Sequence, residues 1–161
     1  MSLVASLALL EMALLTVPTG PYGPMAMQRY GVGDAAGAID TWMRGVCGPA
    51  YRAVLDERLP GAFDQAVVDA DTFFTQELPG LRSWAFGPEE AARVTQPALV
   101  VLGAKTKDIA PVFAERHELL LQWLPNVEPF VLPEATHLLH VENPSGAADG
   151  LTAFFARHPI G

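Results

Sequence analysis

Three short apolar runs and a long amphipathic middle divide the chain. Residues 4–10 (Val-Ala-Ser-Leu-Ala-Leu-Leu) and 98–102 (Ala-Leu-Val-Val-Leu) are continuously apolar rather than alternating, which predicts strands covered on both faces. Residues 127–132 predict a third strand, entered after the helix-stopping pair Pro125-Asn126. Between the first two runs the hydrophobic residues recur at helical spacing. Ile39, Trp42, Met43 and Val46 share one face; Ala53, Val54, Leu55 and Leu59 a second; Phe63, Val67, Ala70, Phe73 and Phe74 a third. Gly48-Pro49, Pro60-Gly61 and Pro79-Gly80 predict boundaries between these helices, and Pro18, Gly20, Pro21, Gly23 and Pro24 predict a loop before them. Gly87-Pro88-Glu89-Glu90 opens a short helix, with proline and two acids in its first turn. Residues 112–124 predict a helix with Phe113, Leu120 and Trp123 inward. Pro144 starts a last one, along which Ala147, Leu151, Phe154 and Phe155 line one face. Strands separated by helical stretches imply a parallel sheet with right-handed crossovers.

Composition narrows the function classes. A chain of 161 residues, half of them hydrophobic and only 17% charged, is globular and of single-domain size. Its formal net charge of −8, with ten Lys+Arg in no basic run, argues against nucleic-acid binding. The single Cys47 can form no internal disulfide and has no Cys or His at metal-ligand spacing, so no metal is expected and a reducing cytoplasm is the default location. Residues 1–17 are apolar enough to imitate a signal peptide. They lack a basic flank, however, and carry Glu11 within the run; the uncharged part is also too short to span a bilayer. A buried strand and no membrane association are expected.

The chemistry concentrates in Ala135-Thr136-His137 and Glu142-Asn143-Pro144, between the third strand and the last helix. A histidine leaving a parallel strand is placed to act as a general base in the crevice at the sheet's carboxyl end. No G-x-S-x-G, G-x-C-x-G or G-x-D-x-G occurs for it to activate. Ser2 and Ser6 fall before or in the first strand, Ser83 and Ser145 in helical or capping contexts, and Cys47 reads as a small buried hydrophobe. His140 is expected to pack or cap, and His117 and His158 to lie on helix surfaces or ends.

Together, Pro97 to Gly103, Trp123-Leu124-Pro125-Asn126, Ala135-Thr136-His137 to Pro144, and Phe154-Phe155 resemble the carboxy-terminal half of the α/β-hydrolase fold. The resemblance implies a three-layer, partial α/β-hydrolase fold with a short parallel sheet: residues 1–33 and 95–161 as partial core and 34–94 as an inserted helical cap. His137 matches the family's catalytic histidine. The acid is usually three residues after the glycine ending the penultimate strand, where this chain has Thr106. Asp108, two residues later, and Glu11, at the end of the first strand, are the two candidates, with Asp108 preferred. The implied activity is that of the cap-and-histidine portion of a serine-type hydrolase acting on small apolar esters, amides or C–C bonds, without cofactor or metal and inactive as an isolated chain. Trp42, Met43, Phe63, Phe73, Phe74 and Trp84 would line an apolar pocket over His137. The first strand would leave an open edge for a complementing amino-terminal hydrolase segment or a second copy of the chain. A non-catalytic ligand-binding or dimerising module, and a truncated gene product, are the alternative readings.

Overall fold

The computed structural model describes residues 4–14 and 20–159. Ser2 and Pro18 lie outside them. The central strand β2 (Ala98–Gly103) is flanked on both sides by parallel partners, β1 (Leu7–Leu10) and β3 (Val127–Leu132). Leu7 registers with Ala98, and Ala98 with Val127. Only β2 is buried along nearly its whole length. The outer strands are half-buried, with Leu10 and Val131 exposed. For residues 4–10 the strand is shorter than expected and its side chains are half-buried to exposed rather than fully covered on both faces; among the described residues β2 is its sole neighbour, in keeping with the expected open edge.

Alternation along β2 builds two hydrophobic layers. Leu99 and Val101 face α11 (Pro144–Arg157), packing with Leu132, Ala147 and Phe154. Ala98 and Val100 face the opposite way, against Leu14, Leu120 of α9 (Pro111–Trp123) and Ala91 of α7 (Pro88–Ala91). The result is a three-layer α/β arrangement.

Six further helices precede α7: α1 (Tyr22–Gly31), α2 (Ala35–Cys47), α3 (Tyr51–Arg58), α4 (Ala62–Val68), α5 (Ala70–Thr72) and α6 (Leu78–Ser83). Helix α1 occupies part of the stretch expected as loop. Its prolines do not oppose it, because Pro21 is the N-cap and Pro24 lies in the first turn, where a missing N–H removes no helical bond. Gly48, at φ 86°, ends α2 as expected, and Pro60-Gly61 separates α3 from α4. Pro79-Gly80 is not a boundary. Helix α5 runs through a π turn (Phe73–Glu77) directly into α6, where Pro79 occupies the first turn and the Leu78 N–H reaches back to the Phe73 carbonyl. These helices close over their own core of Ile39, Phe74 and Leu78, with Tyr30 stacked on Phe74 at 4.9 Å between centroids. Two short helices complete the chain: α8 (Thr106–Ile109) after β2, and α10 (Leu139–Glu142) before α11. No helix among the described residues is long and apolar enough to cross a membrane.

Candidate active site

Because the three strands are parallel, their carboxyl ends lie together. Each delivers one part of a single polar cluster. Glu11 follows β1 directly, Gly103 ends β2 with Thr106 opening α8, and His137 leaves the turn after β3. The Glu11 side chain is wholly buried, and a buried carboxylate requires donors. It has three. Its Oε1 accepts from the Gly103 N–H at 2.7 Å and the Thr106 hydroxyl at 2.6 Å, and its Oε2 lies 2.5 Å from His137 Nδ1. The Glu11 backbone is in the left-handed region at φ 44°, an uncommon conformation for a residue with a side chain, and its N–H donates to Val101 O.

A carboxylate accepts but does not donate, so Nδ1 is the protonated nitrogen of the His137–Glu11 pair. In the neutral ring Nε2 then carries the lone pair. The ring is held on its face by Phe113, stacked at 4.1 Å and 23°, while the side chain remains 30% exposed. An oriented imidazole with one nitrogen committed to a buried carboxylate and the other able to take a proton is the chemistry of a general base.

The turn bearing His137 is fixed independently of that pair. The Glu142 carboxylate accepts from both the N–H and hydroxyl of Thr136, at 2.5 and 2.7 Å. Asn143 accepts from the Gly146 N–H as the cap of α11, and its Nδ2 donates to Pro133 O at 3.0 Å. Gly103 is required by proximity: a Cβ there would stand 2.6 Å from the carbonyl oxygens of Ala135 and Thr136.

Of the two carboxylates proposed from sequence, the structure brings Glu11 to the histidine. Asp108 is exposed in α8, and Thr106 fills the position between strand and helix with a hydroxyl turned to Glu11. Ser6 precedes β1, Ser83 donates to Gly80 O, and Ser145 is exposed at the start of α11. Cys47 is buried among Val46, Tyr51 and Phe113, and desolvation pushes its thiol up to about 12, which keeps it protonated and unreactive near neutrality. Among the described residues no group of three or more His, Cys, Asp or Glu could hold a metal ion.

Three other expectations are corrected. His140 is exposed on α10 rather than packed. His117 is not on a helix surface but 6% exposed on the inner side of α9. Among the described residues neither of its ring nitrogens has a hydrogen-bond partner, and it sits beside the buried Arg116 in a small space bounded by Glu11, Met12 and Val100. The i, i+3, i+4, i+7 row Phe113, Arg116, His117, Leu120 carries the signal, which polarity masks. Trp42, Met43 and Phe73 line a cavity of about 400 Å³, but Phe74 is packed solid, Phe63 lies under the Arg52 guanidinium and Trp84 is exposed beside Phe86. His137 does not line that cavity. His158 lies at the end of α11, as expected, 2.8 Å from Glu128.

No protein-family model matches the chain, and no curated protein matches it in sequence. Solved α/β-hydrolase structures match it in fold. An α/β-hydrolase from a Medee basin deep-sea metagenome, MGS-M2, superposes with a TM-score of 0.70 at 14% identity over 97% of this chain and 57% of its own. An α/β-hydrolase from Sphaerobacter thermophilus gives 0.64 at 20% identity, over 94% and 58%. Est816, described as an N-acyl homoserine lactone degrading enzyme, gives 0.62 at 22% identity, over 93% and 57%. The chain therefore carries part of the α/β-hydrolase fold and spans a little over half the length of the structures it matches.

Proposed function

We propose that this chain, bearing part of the α/β-hydrolase fold, supplies the histidine, the acid and the helical cap of a serine-type hydrolase for small apolar esters, amides or C–C bonds. The observation that carries the reading is the 2.5 Å pairing of His137 Nδ1 with the buried Glu11 carboxylate at the carboxyl ends of parallel strands. In this mechanism Nε2 of His137 takes the proton from a nucleophilic hydroxyl as it attacks the scissile carbonyl, then returns it to the leaving group. Glu11 keeps the ring in the correct tautomer and stabilises the imidazolium without itself taking the proton. Asp108 has no part in this relay, and neither cofactor nor metal is required.

The sequence contains no G-x-S-x-G, so the hydroxyl and the oxyanion-hole amide that follows it come from a segment other than residues 1–161. In this reading that segment pairs with the side of β1 away from β2, which no other described strand occupies, since a parallel strand added there would set its exit turn beside His137. The test is expression of this chain alone and with a G-x-S-x-G-bearing reading frame adjoining its gene, assayed with p-nitrophenyl esters. The chain alone should show no turnover. The pair should hydrolyse ester and take up a fluorophosphonate label, with both activities lost in His137→Ala and reduced about 10⁴-fold or less in Glu11→Gln. Turnover by the isolated chain that depends on His137, or paired activity indifferent to His137→Ala, would overturn the proposal.

A further inference from the structure

The open pocket on the helical segment has a chemical character of its own. It is built from α2, α4, α5 and the π turn, holds about 400 Å³, and falls within the size range of small-molecule sites. Ile39, Trp42, Met43 and Phe73 form its apolar part. The Trp42 and Phe73 rings meet edge to face at 71° with centroids 5.1 Å apart, which makes an aromatic corner rather than a flat wall. Ala66, Thr72 and two carboxylates, Asp69 and Glu77, complete the lining, the last three exposed to solvent, and among the described residues no Lys, Arg or His is part of it. Gln65 holds Asp69 in place through a 3.0 Å bond to Oδ2.

The π turn places two of these residues. Its wider winding brings both Phe73, at its start, and Glu77, at its end, to the cavity. Pro79 accounts for a helical irregularity at this point, since a proline there has no N–H to offer the preceding turn. The ligand it would serve follows from the lining. Aromatic faces attract a cation through the ring quadrupole, the Met43 thioether adapts to a bulky apolar group, and the two carboxylates favour positive charge and oppose negative.

We propose that this cavity is a binding site for a small apolar molecule carrying a tertiary or quaternary ammonium group. The ammonium sits against the Trp42–Phe73 corner with Asp69 and Glu77 as counter-charges, and the apolar portion lies along Ile39 and Met43. None of these residues belongs to the His137–Glu11 pair, so the site does not rest on the catalytic reading.

Benzyltrimethylammonium and its uncharged isostere neopentylbenzene are the probes, titrated into the whole chain and followed by NMR at the Trp42 indole N–H and the Met43 methyl. The cation should bind saturably at these two groups, about tenfold or more tighter than the isostere. High ionic strength should weaken the cation and leave the isostere unchanged, a comparison that requires no variant. The Asp69→Asn/Glu77→Gln double variant, checked for a native methyl spectrum, should lose most of that preference. Equal binding of the two probes, no saturable shift at Trp42, or a preference indifferent to salt would each overturn the proposal.

Discussion

Glu11 combines two unfavourable features, a left-handed backbone and a carboxylate removed from water, and three donors offset both. Cutting the side chain back should therefore expose the cost. Glu11→Ala leaves the Gly103 N–H and Thr106 hydroxyl buried without an acceptor, and about 2–4 kcal/mol of stability should be lost in urea unfolding. Glu11→Gln preserves shape and should stay within about 2 kcal/mol of the parent. A downfield Nδ1 proton resonance of His137, expected in the parent, should nevertheless be absent from Glu11→Gln, because the amide cannot hold the same charge-assisted bond. A Glu11→Ala variant as stable as the parent would contradict this account of the buried carboxylate. At this scale the sequence located His137 at a strand exit, because that setting is local. It could not choose its partner, because Glu11 stands 126 residues away. The spacing after Gly103 favoured Asp108, yet the hydroxyl at Thr106 is what seats the acid from the neighbouring strand.

Among the elements, the turn from Pro133 to Asn143 shows how a short segment is held rigid by its own side chains. Asn143 both caps α11 and ties back to Pro133 O, so its loss affects a helix and a turn together. Asn143→Ala should lower the unfolding free energy by about 1–2 kcal/mol. Asn143→Asp should recover most of that loss, since an acid caps the helix equally well but has no N–H for the proline carbonyl. Equal losses in the two variants, measured by denaturant titration, would show the cap to be unimportant. The same scale explains where helix boundaries were misread. Pro21 is the N-cap of α1 and Pro24 lies in its first turn, where proline is compatible with a helix, whereas Pro79 is accommodated within a continuous helix by the π turn before it; a proline-glycine pattern distinguishes neither setting from a loop.

For the molecule as a whole, the open side of β1 is the feature with consequences beyond the chain. Its backbone groups on that side face no strand among the described residues, and Leu10 and Val4 are exposed nearby. An unprotected parallel edge invites pairing with another chain. Leu10→Lys should reduce self-association of the isolated chain, read by light scattering across a concentration series. It should also weaken complementation by a G-x-S-x-G-bearing segment; no change in either would place the interaction elsewhere. The sequence alone determined the α/β class, the three parallel strands and the position of His137 after the last of them, because continuous apolar runs, helical periodicity and a strand-exit turn are written in neighbouring residues. Only the tertiary structure decided that Glu11 meets His137, that Arg116 and His117 turn inward, and that Trp42 and Phe73 border an open pocket with Asp69 and Glu77 whose lining does not include His137. Those outcomes depend on which residues the packing of strands and helices brings together, and no local pattern encodes a contact between distant parts of a chain.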